Sequence, residues 1–235
     1  MSRTNYLLLV VLLLCGSARA EQPLVFAVIN DVPSTSLAVA LLERAYKRIG
    51  VPMETLHVPS SRALMMANTG ATDGDLFRIA EVAGELPNLV QVPYPLLRGE
   101  VKVAAMAPSV QVWNEQTLKR QRIGVRRGVI VAERAAEGAR VVKVDTYLQL
   151  LRLLEHDRID MALISDIEGI SPIHTRAWHE VRILDAPVRS FTLHHYINLE
   201  HRDLAEPLAK ALRDMTESGE TAALIAEQRE LFYAQ

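Results

Sequence analysis

The chain of 235 residues has a single cysteine, Cys15, so no intrachain disulfide can form and a site built from several thiolates is excluded. A disulfide-stapled mini-domain is excluded with it. Only one apolar run is long and unbroken, Leu7 to Leu14, and it is too short to span a bilayer. There is no excess of one charge: 26 basic residues face 28 acidic ones, and no basic stripe of the kind that binds nucleic acid is present. No Gly/Ser linker, low-complexity tract or internal repeat interrupts the chain. Also missing are the Gly-x-Ser-x-Gly elbow, the Gly-x-Gly-x-x-Gly fingerprint and a Gly-Lys-Ser/Thr phosphate loop.

What is present begins with "MSRTNYLLLVVLLLCGSARAEQ", a basic start at Arg3, the apolar run, and the small-x-small step Ala18-Arg19-Ala20. This pattern predicts a secretory leader over residues 1–20, removed after Ala20. Leu14 stands before Cys15 where a lipidated cysteine follows a small residue, so a lipoprotein is not expected. A mature chain from Glu21 would carry no cysteine and, without Arg3 and Arg19, 24 basic against 28 acidic residues. About 215 residues suffice for a core that needs no staples. The expected class is a mildly acidic, exported globular protein.

Strand and helix patterns then alternate. "PLVFAVI" (23–29) reads as a buried strand, and "STSLAVALLERAYKRIG" (34–50) puts Leu37, Leu41, Ala45 and Ile49 on one helical face, with Ser34 or Ser36 as its cap. Residues 51–58 predict a second strand and 60–70 a second helix stopped by Gly70. A strand over 100–107 leads to a second set: strands at 122–125, 139–144 and 158–164, helices at 128–138 and, capped by Asp145, at 145–157. Residues 188–199 read as extended. Two helices follow, with Asp203 and Glu206 spaced as a capping box and Gly219 between them. Such alternation predicts an α/β fold of mainly parallel sheets in two lobes, joined by ordered strands around 100–108 and 186–192. A cleft between the lobes is the natural ligand site.

In order along the chain stand "SSRALMMANTGATDGDLFRIAEVAGELPNLVQVP", "RIGVRRG", "LLRLLEHDRIDMALISD" and "HHYINLEHRDLAEPLAKALRDMTESGE". Together they resemble the family 3 extracellular solute-binding proteins, the periplasmic amino-acid-binding type, over essentially the whole mature chain. The resemblance implies a type II two-lobed fold, with residues 21–105 and 190–235 in lobe one and 106–189 in lobe two. It also implies a first-lobe arginine and helix-N-terminal amides on the ligand carboxylate, and a second-lobe acid on its ammonium. The family's Thr-x-x-Arg segment does not follow the Gly70–Asp73 turn, and Arg78 comes earlier, which marks a divergent branch.

The candidate site residues each have two readings. Arg78 either anchors a carboxylate at the cleft or makes an internal salt bridge across its turn. Arg62, at the start of a helix, either contacts an anion or is a surface charge. Asp31 either touches ligand or caps the helix beginning nearby. "IGVRRGVIVAE" feeds a strand through Arg126, Arg127 and Gly128 into a helix whose first amides favour an anion, one arginine facing the cleft and the other solvent. Asp166, just past an apolar strand, is the acid that the resemblance gives to the ligand ammonium, or else an N-cap.

"TDGDLFRI" fails as a calcium loop because only Asp73 and Asp75 fit ligand positions. The seven histidines show no zinc spacing: His194 and His195 are adjacent, His174 and His179 are five apart, and His195 and Tyr196 are expected to pack or serve the hinge. No cofactor, metal or catalytic group is therefore expected. The function expected is capture of a small polar, carboxylate-bearing, amino-acid-like solute by hinge closure, for an ABC-type permease of the inner membrane, by a periplasmic monomer. The alternatives are an enzyme on the same scaffold, dehydratase-like towards small acids, or a sensory binding module without transport.

Overall fold

The computed structural model describes residues 22–29, 33–83, 86–106, 112–173 and 180–234. The expected leader with Cys15, together with Asp31, His174 and His179, lies outside the described residues.

The first set of elements is β1 (Leu24–Ile29), α1 (Pro33–Arg48), β2 (Met53–Val58), α2 (Ser60–Thr69), β3 (Gly74–Arg78), α3 (Ala80–Ala83) and β4 (Leu89–Gln91). A long strand, β5 (Leu97–Met106), leads to α4 (Glu115–Arg120), β6 (Arg122–Arg126), α5 (Ile130–Ala135), β7 (Arg140–Val144), α6 (Tyr147–Glu155), β8 (Met161–Ile167) and β9 (Val181–Ile183). The second long strand, β10 (Arg189–Asn198), runs into a short 3₁₀ helix (Leu199–Leu204), α7 (Ala205–Glu217) and α8 (Glu220–Tyr233).

Two sheets share β10. In the first, β2, β1 and β3 are parallel neighbours, and the second half of β10 lies antiparallel to β3 and β4. In the second, β7, β6 and β8 are parallel, while β5 runs antiparallel to β8, to β9 and to the first half of β10. Each sheet is thus a parallel triplet closed by an antiparallel crossing strand. The crossing pair is β5 with β10, matched from Leu97↔Leu193 to Val101↔Arg189.

Burial explains the arrangement. Phe26, Ala27 and Val28 of β1 are fully covered, as parallel strands between helices require. Leu37, Leu41, Leu42 and Ala45 form the buried stripe of α1 and pack with Leu208, Leu212 and Met215 of α7 in one core. The second sheet has two smaller cores on opposite faces. Val103 and Leu163 point to the α5 side and Ala104 and Ile164 to the α6 side, following the two-residue alternation of strands.

Several helix ends differ from the expectations above. Thr146, not Asp145, caps α6: its side chain accepts from the Gln149 amide and the Gln149 side chain bonds back to the Thr146 amide. The reciprocal pair needs a Gln or Glu three residues on, which Thr146 has. Asp203 caps nothing, because the 3₁₀ helix runs directly into α7 through Leu204 in helical geometry and leaves no break to cap. The cap moves back to Asn198, which accepts from the Glu200 amide. α1 starts at Pro33, so Ser34 and Ser36 fall inside its first turn. The helix expected over 128–138 contracts to 130–135.

Candidate functional site

β5 reads Leu-Arg-Gly-Glu-Val-Lys-Val from position 97. Leu97, Gly99, Val101 and Val103 are buried, so Arg98, Glu100 and Lys102 share the other face. Glu100 stands directly opposite Asp166 of β8 and, on the other side, Ser190 of β10; Arg98 stands opposite Thr192. This charged face is the floor of an open cavity of about 820 Å³.

Two carboxylates placed directly opposite across strands repel. Lys102 resolves the conflict here: its Nζ lies 3.2 Å from Glu100 Oε2 and 3.3 Å from Asp166 Oδ2. Burial pulls the Lys102 pKa down, but the hydrogen bonds and charges of Glu100 and Asp166 outweigh it and hold the amine above its ordinary value. Lys102 is therefore an ammonium bound to two carboxylates. The other oxygen of Asp166, Oδ1, is shut off from solvent and accepts no hydrogen bond from any described residue.

The walls come from distant parts of the chain. Beyond β8, Glu168 (φ 49°) and Gly169 (φ 74°) form a two-residue turn closed by the Ile167↔Ile170 bridge. Left-handed geometry at both central positions is the I′ type, and only Gly169 adopts it without cost. Glu168 is held there from several sides. Its Oε1 accepts from the Arg98 amide at 2.5 Å, its amide donates to Arg98 O at 3.1 Å, and Arg229 of α8 donates to its carbonyl at 2.7 Å. The facing wall is Ile79 to Glu81, after β3, with Val131 and Arg134 of α5 closing the side. Glu81 and Arg189 face each other at 3.6 Å. Five cationic side chains (Arg98, Lys102, Arg134, Arg189, Arg229) and four anionic ones (Glu81, Glu100, Asp166, Glu168) line the cavity. The guanidiniums of Arg98 and Arg134 have no hydrogen-bond or ion-pair partner among the described residues.

Of the residues singled out from sequence, Asp166 lines this cavity. Arg78 ends β3 immediately before the lining residue Ile79, but is itself buried, its Nη2 at 2.8 Å and Nε at 3.2 Å from Asp75 Oδ2. Burial pushes the Asp75 carboxyl up and the Arg78 charge opposes that push. Arg62 is exposed on α2, outside the lining. Arg126 donates from Nε to Asp145 O at 3.1 Å and lies over the Tyr147 ring, and Arg127 donates to Asp145 Oδ1 at 3.0 Å. The Gly128 amide donates to Glu133 Oε1 at 2.8 Å, and Glu133 also pairs with Lys143. The donors of that turn thus serve acceptors of the chain itself, the Asp145 carbonyl and the carboxylates of Asp145 and Glu133, and none of Arg126, Arg127 and Gly128 lines the cavity. Asp73 is a structural pin: its Oδ2 accepts from the Val25 amide at 2.7 Å and its Oδ1 meets His201 Nε2 at 2.6 Å.

Arg98, Lys102, Glu168 and Arg134 were not singled out from sequence. The signal that points to the first two is the strict alternation of charged with apolar or glycine positions over 97–103, a strand with one charged face. Among the described residues no group of three or more His, Cys, Asp or Glu side chains could hold a metal ion, and no helix is long and apolar enough to cross a membrane.

No family model matches the chain. An uncharacterized protein of Shewanella oneidensis is 23% identical over 238 residues, covering 90% of this chain and 89% of that one. Among solved structures, the GluR0 ligand-binding core in complex with L-glutamate has a TM-score of 0.76 at 13% identity, over 89% of this chain and 99% of that one. The substrate-binding protein AbpA of an amino acid ABC transporter from Streptococcus pneumoniae, bound to L-arginine, has a TM-score of 0.69 at 15% identity, over 90% and 96%. A histidine kinase sensor domain with similarity to periplasmic binding proteins has a TM-score of 0.71 at 16% identity, over 88% and 96%. At these identities the likeness is one of fold. The chain has the two-lobed α/β fold of periplasmic-binding-protein-like domains, and these structural neighbours are binding and sensor domains, not enzymes.

Proposed function

We propose that the protein is an exported solute-binding protein that captures a small carboxylate-bearing solute, of about amino-acid size, in the cleft over β5 and β10. The single observation that carries this reading is the pair of unpartnered guanidiniums, Arg98 on the floor and Arg134 on the α5 wall, lining one cavity of about 820 Å³. A guanidinium matches a carboxylate with two parallel hydrogen bonds, and a cavity of this size falls in the range used for small ligands. Closure would turn one sheet against the other about the crossing pair, with residues 21–105 and 190–235 moving against 106–189. The leader pattern read from the sequence of residues 1–20 supports a periplasmic location, and the likeness to ABC transporter binding proteins supports delivery to an importer of the inner membrane; a monomer is part of the same proposal.

A sensory role is the second reading, supported by the likeness to the histidine kinase sensor domain. An enzyme draws less support from the same residues. Lys102 is held as an ammonium by two carboxylates, which unsuits it as a base or nucleophile.

The test is thermal unfolding of residues 21–235 against amino acids, hydroxy acids, dicarboxylates and amines. A ligand at about a hundred times its Kd adds about 2.7 kcal/mol and shifts the transition visibly. A saturable shift with carboxylates that Arg98→Ala and Arg134→Ala abolish supports the reading; shifts with amines alone refute it.

A further inference from the structure

The cleft already contains an ammonium. In a site that takes amino acids, a carboxylate such as Asp166 accepts the α-ammonium of the ligand, yet here Oδ2 of Asp166 lies 3.3 Å from Lys102 Nζ. Lys102 is fixed by Glu100 at 3.2 Å as well, and its stem is packed, the side chain being only 19% exposed. A ligand ammonium brought to Asp166 would therefore enter beside a second positive charge competing for the same carboxylate. The surplus charge of the cavity is also positive, five cations to four anions, and the two cations without partners stand on different elements, Arg98 on β5 and Arg134 on α5. Each of those guanidiniums can take a carboxylate. Asp166 keeps one oxygen, Oδ1, without a donor although it is closed to solvent here, and rotation of the carboxylate would offer it to a solute hydroxyl, which satisfies it without adding charge.

Resting on the reading of this cleft as a carboxylate site, we propose that its solute is a small dicarboxylic acid, hydroxylated and without an ammonium group, with Lys102 acting as the specificity-determining residue that excludes amino acids. Arg98 and Arg134 hold the two carboxylates, and the hydroxyl donates to Asp166. The positive charge that an amino acid would bring is supplied by the protein.

The experiment is isothermal titration with ligands that differ only at one group: malate, succinate and aspartate, repeated with 2-hydroxyglutarate, glutarate and glutamate, and with lactate and alanine as monocarboxylates. Hydroxy-dicarboxylates should bind at least about tenfold more tightly than the matching amino acids, roughly the contribution of one charged contact. The unsubstituted diacids should fall between them. Lys102→Met should invert the ranking, because Asp166 and Glu100 then lack a cation. Since those carboxylates would face each other, Lys102→Met/Glu100→Gln is measured alongside as the variant that keeps the fold. Amino acids binding as tightly as their hydroxy counterparts, or a ranking that Lys102→Met leaves unchanged, overturns the proposal. Monocarboxylates binding as well as diacids overturns the assignment of both guanidiniums. Binding by none of the series removes the carboxylate-cleft reading itself, a result distinct from binding with the wrong ranking.

Discussion

The Tyr46 hydroxyl donates to Nε2 of His195 at 2.9 Å, deep in the first core, where both side chains are fully buried. The ring nitrogens of His195 are set by its other partner. Nδ1 lies 2.9 Å from the Leu76 carbonyl, which can only accept, so Nδ1 carries the proton and Nε2 is left to receive the phenol. Phe26 closes the cluster edge-on, its centroid 4.9 Å from the imidazole. The position is a particular one in β10: pairing to β3 shifts register between His194 and Tyr196, just where the strand leaves β5. The extra residue lies in β3, where Leu76 and Phe77 together oppose His195, and the buried His195 pins β10 where it passes from one sheet to the other.

Burial lowers the His195 pKa to about 4 from an ordinary 6.5. A folded-state value below the unfolded one means that the unfolded chain binds the extra proton first. The stability is whole above about pH 6.5 and is lost as pH falls towards 4, by an amount on the order of 3 kcal/mol. Asp75, pushed up by burial, works in the opposite sense, so the comparison must be with a variant. Thermal midpoints between pH 7.5 and 4.5 should fall more steeply in the native protein than in His195→Gln, which is less stable at neutral pH but cannot titrate. Equal slopes would remove His195 from the acid response.

Arg78 and Asp75 make a second buried relationship with a measurable consequence. The Asp75 side chain is 1% exposed and that of Arg78 10%. Removing one partner of a buried pair strands the other charge, at a cost of about 3–5 kcal/mol. Chemical denaturation of Arg78→Ala should show a loss of that size. The double variant Arg78→Met/Asp75→Leu, which leaves no charge behind, should recover much of it. If Arg78 served only a ligand, Arg78→Ala would fold with nearly native stability, and the two sequence readings of this residue are thereby told apart.

The α/β architecture was legible because local periodicity and tertiary burial agree. Leu37, Leu41 and Ala45 do line the covered face of α1, and Phe26 to Val28 do form a covered strand. The cleft was less legible, for a physical reason. Arg98, Glu100 and Lys102 announce one charged face of a strand, but which face looks into a cavity depends on β8 and β10, paired from far along the chain. Asp166 stood out because it follows an apolar run. Its partner Lys102 could not, since their meeting is set by antiparallel register and not by spacing. The turn at Gly128 shows the reverse. Its sequence advertises free amides, yet Glu133, five residues on, folds back to take the Gly128 amide, and Asp145 takes Arg127. The bulge of β3 opposite His195 left no sequence signal, because one extra residue in a strand looks like any other.

Two glycines mark close approaches that different neighbours would resist differently. A methyl group on Gly74 would lie 2.2 Å from the Tyr196 carbonyl oxygen, a backbone atom fixed by pairing of β3 with β10. At Gly99 it would meet side chains instead, Phe191 Cζ at 2.4 Å and Ile167 Cδ1 at 2.6 Å. Gly74→Ala should therefore cost about 3 kcal/mol or more, the upper end for overpacking, and Gly99→Ala about 1–2 kcal/mol as the side chains turn aside. Denaturant midpoints for the two variants give the order directly. Gly99 and Phe191 both line the cavity, so Gly99→Ala should also weaken ligand binding.

The last turn of α8 reaches the cleft through one phenol. Tyr233 donates to the Gly169 carbonyl at 3.0 Å and accepts from the Ser171 amide at 2.9 Å, beside the turn that carries Glu168 in its left-handed geometry. Tyr233→Phe keeps the ring and removes both bonds. The Ser171 amide is part-buried and would be left without this acceptor, which costs about 1–3 kcal/mol. The effect should be local before it is global: amide hydrogen exchange at 168–171 should quicken in Tyr233→Phe while exchange in β1 and α1 stays slow. Since Glu168 holds the Arg98 amide from this turn, loosening it should also weaken carboxylate binding, without any change to a residue that lines the cavity. Unchanged exchange at 168–171 would mean that the Ile167–Ile170 bridge, the Arg98–Glu168 bonds and Arg229 hold the turn without Tyr233.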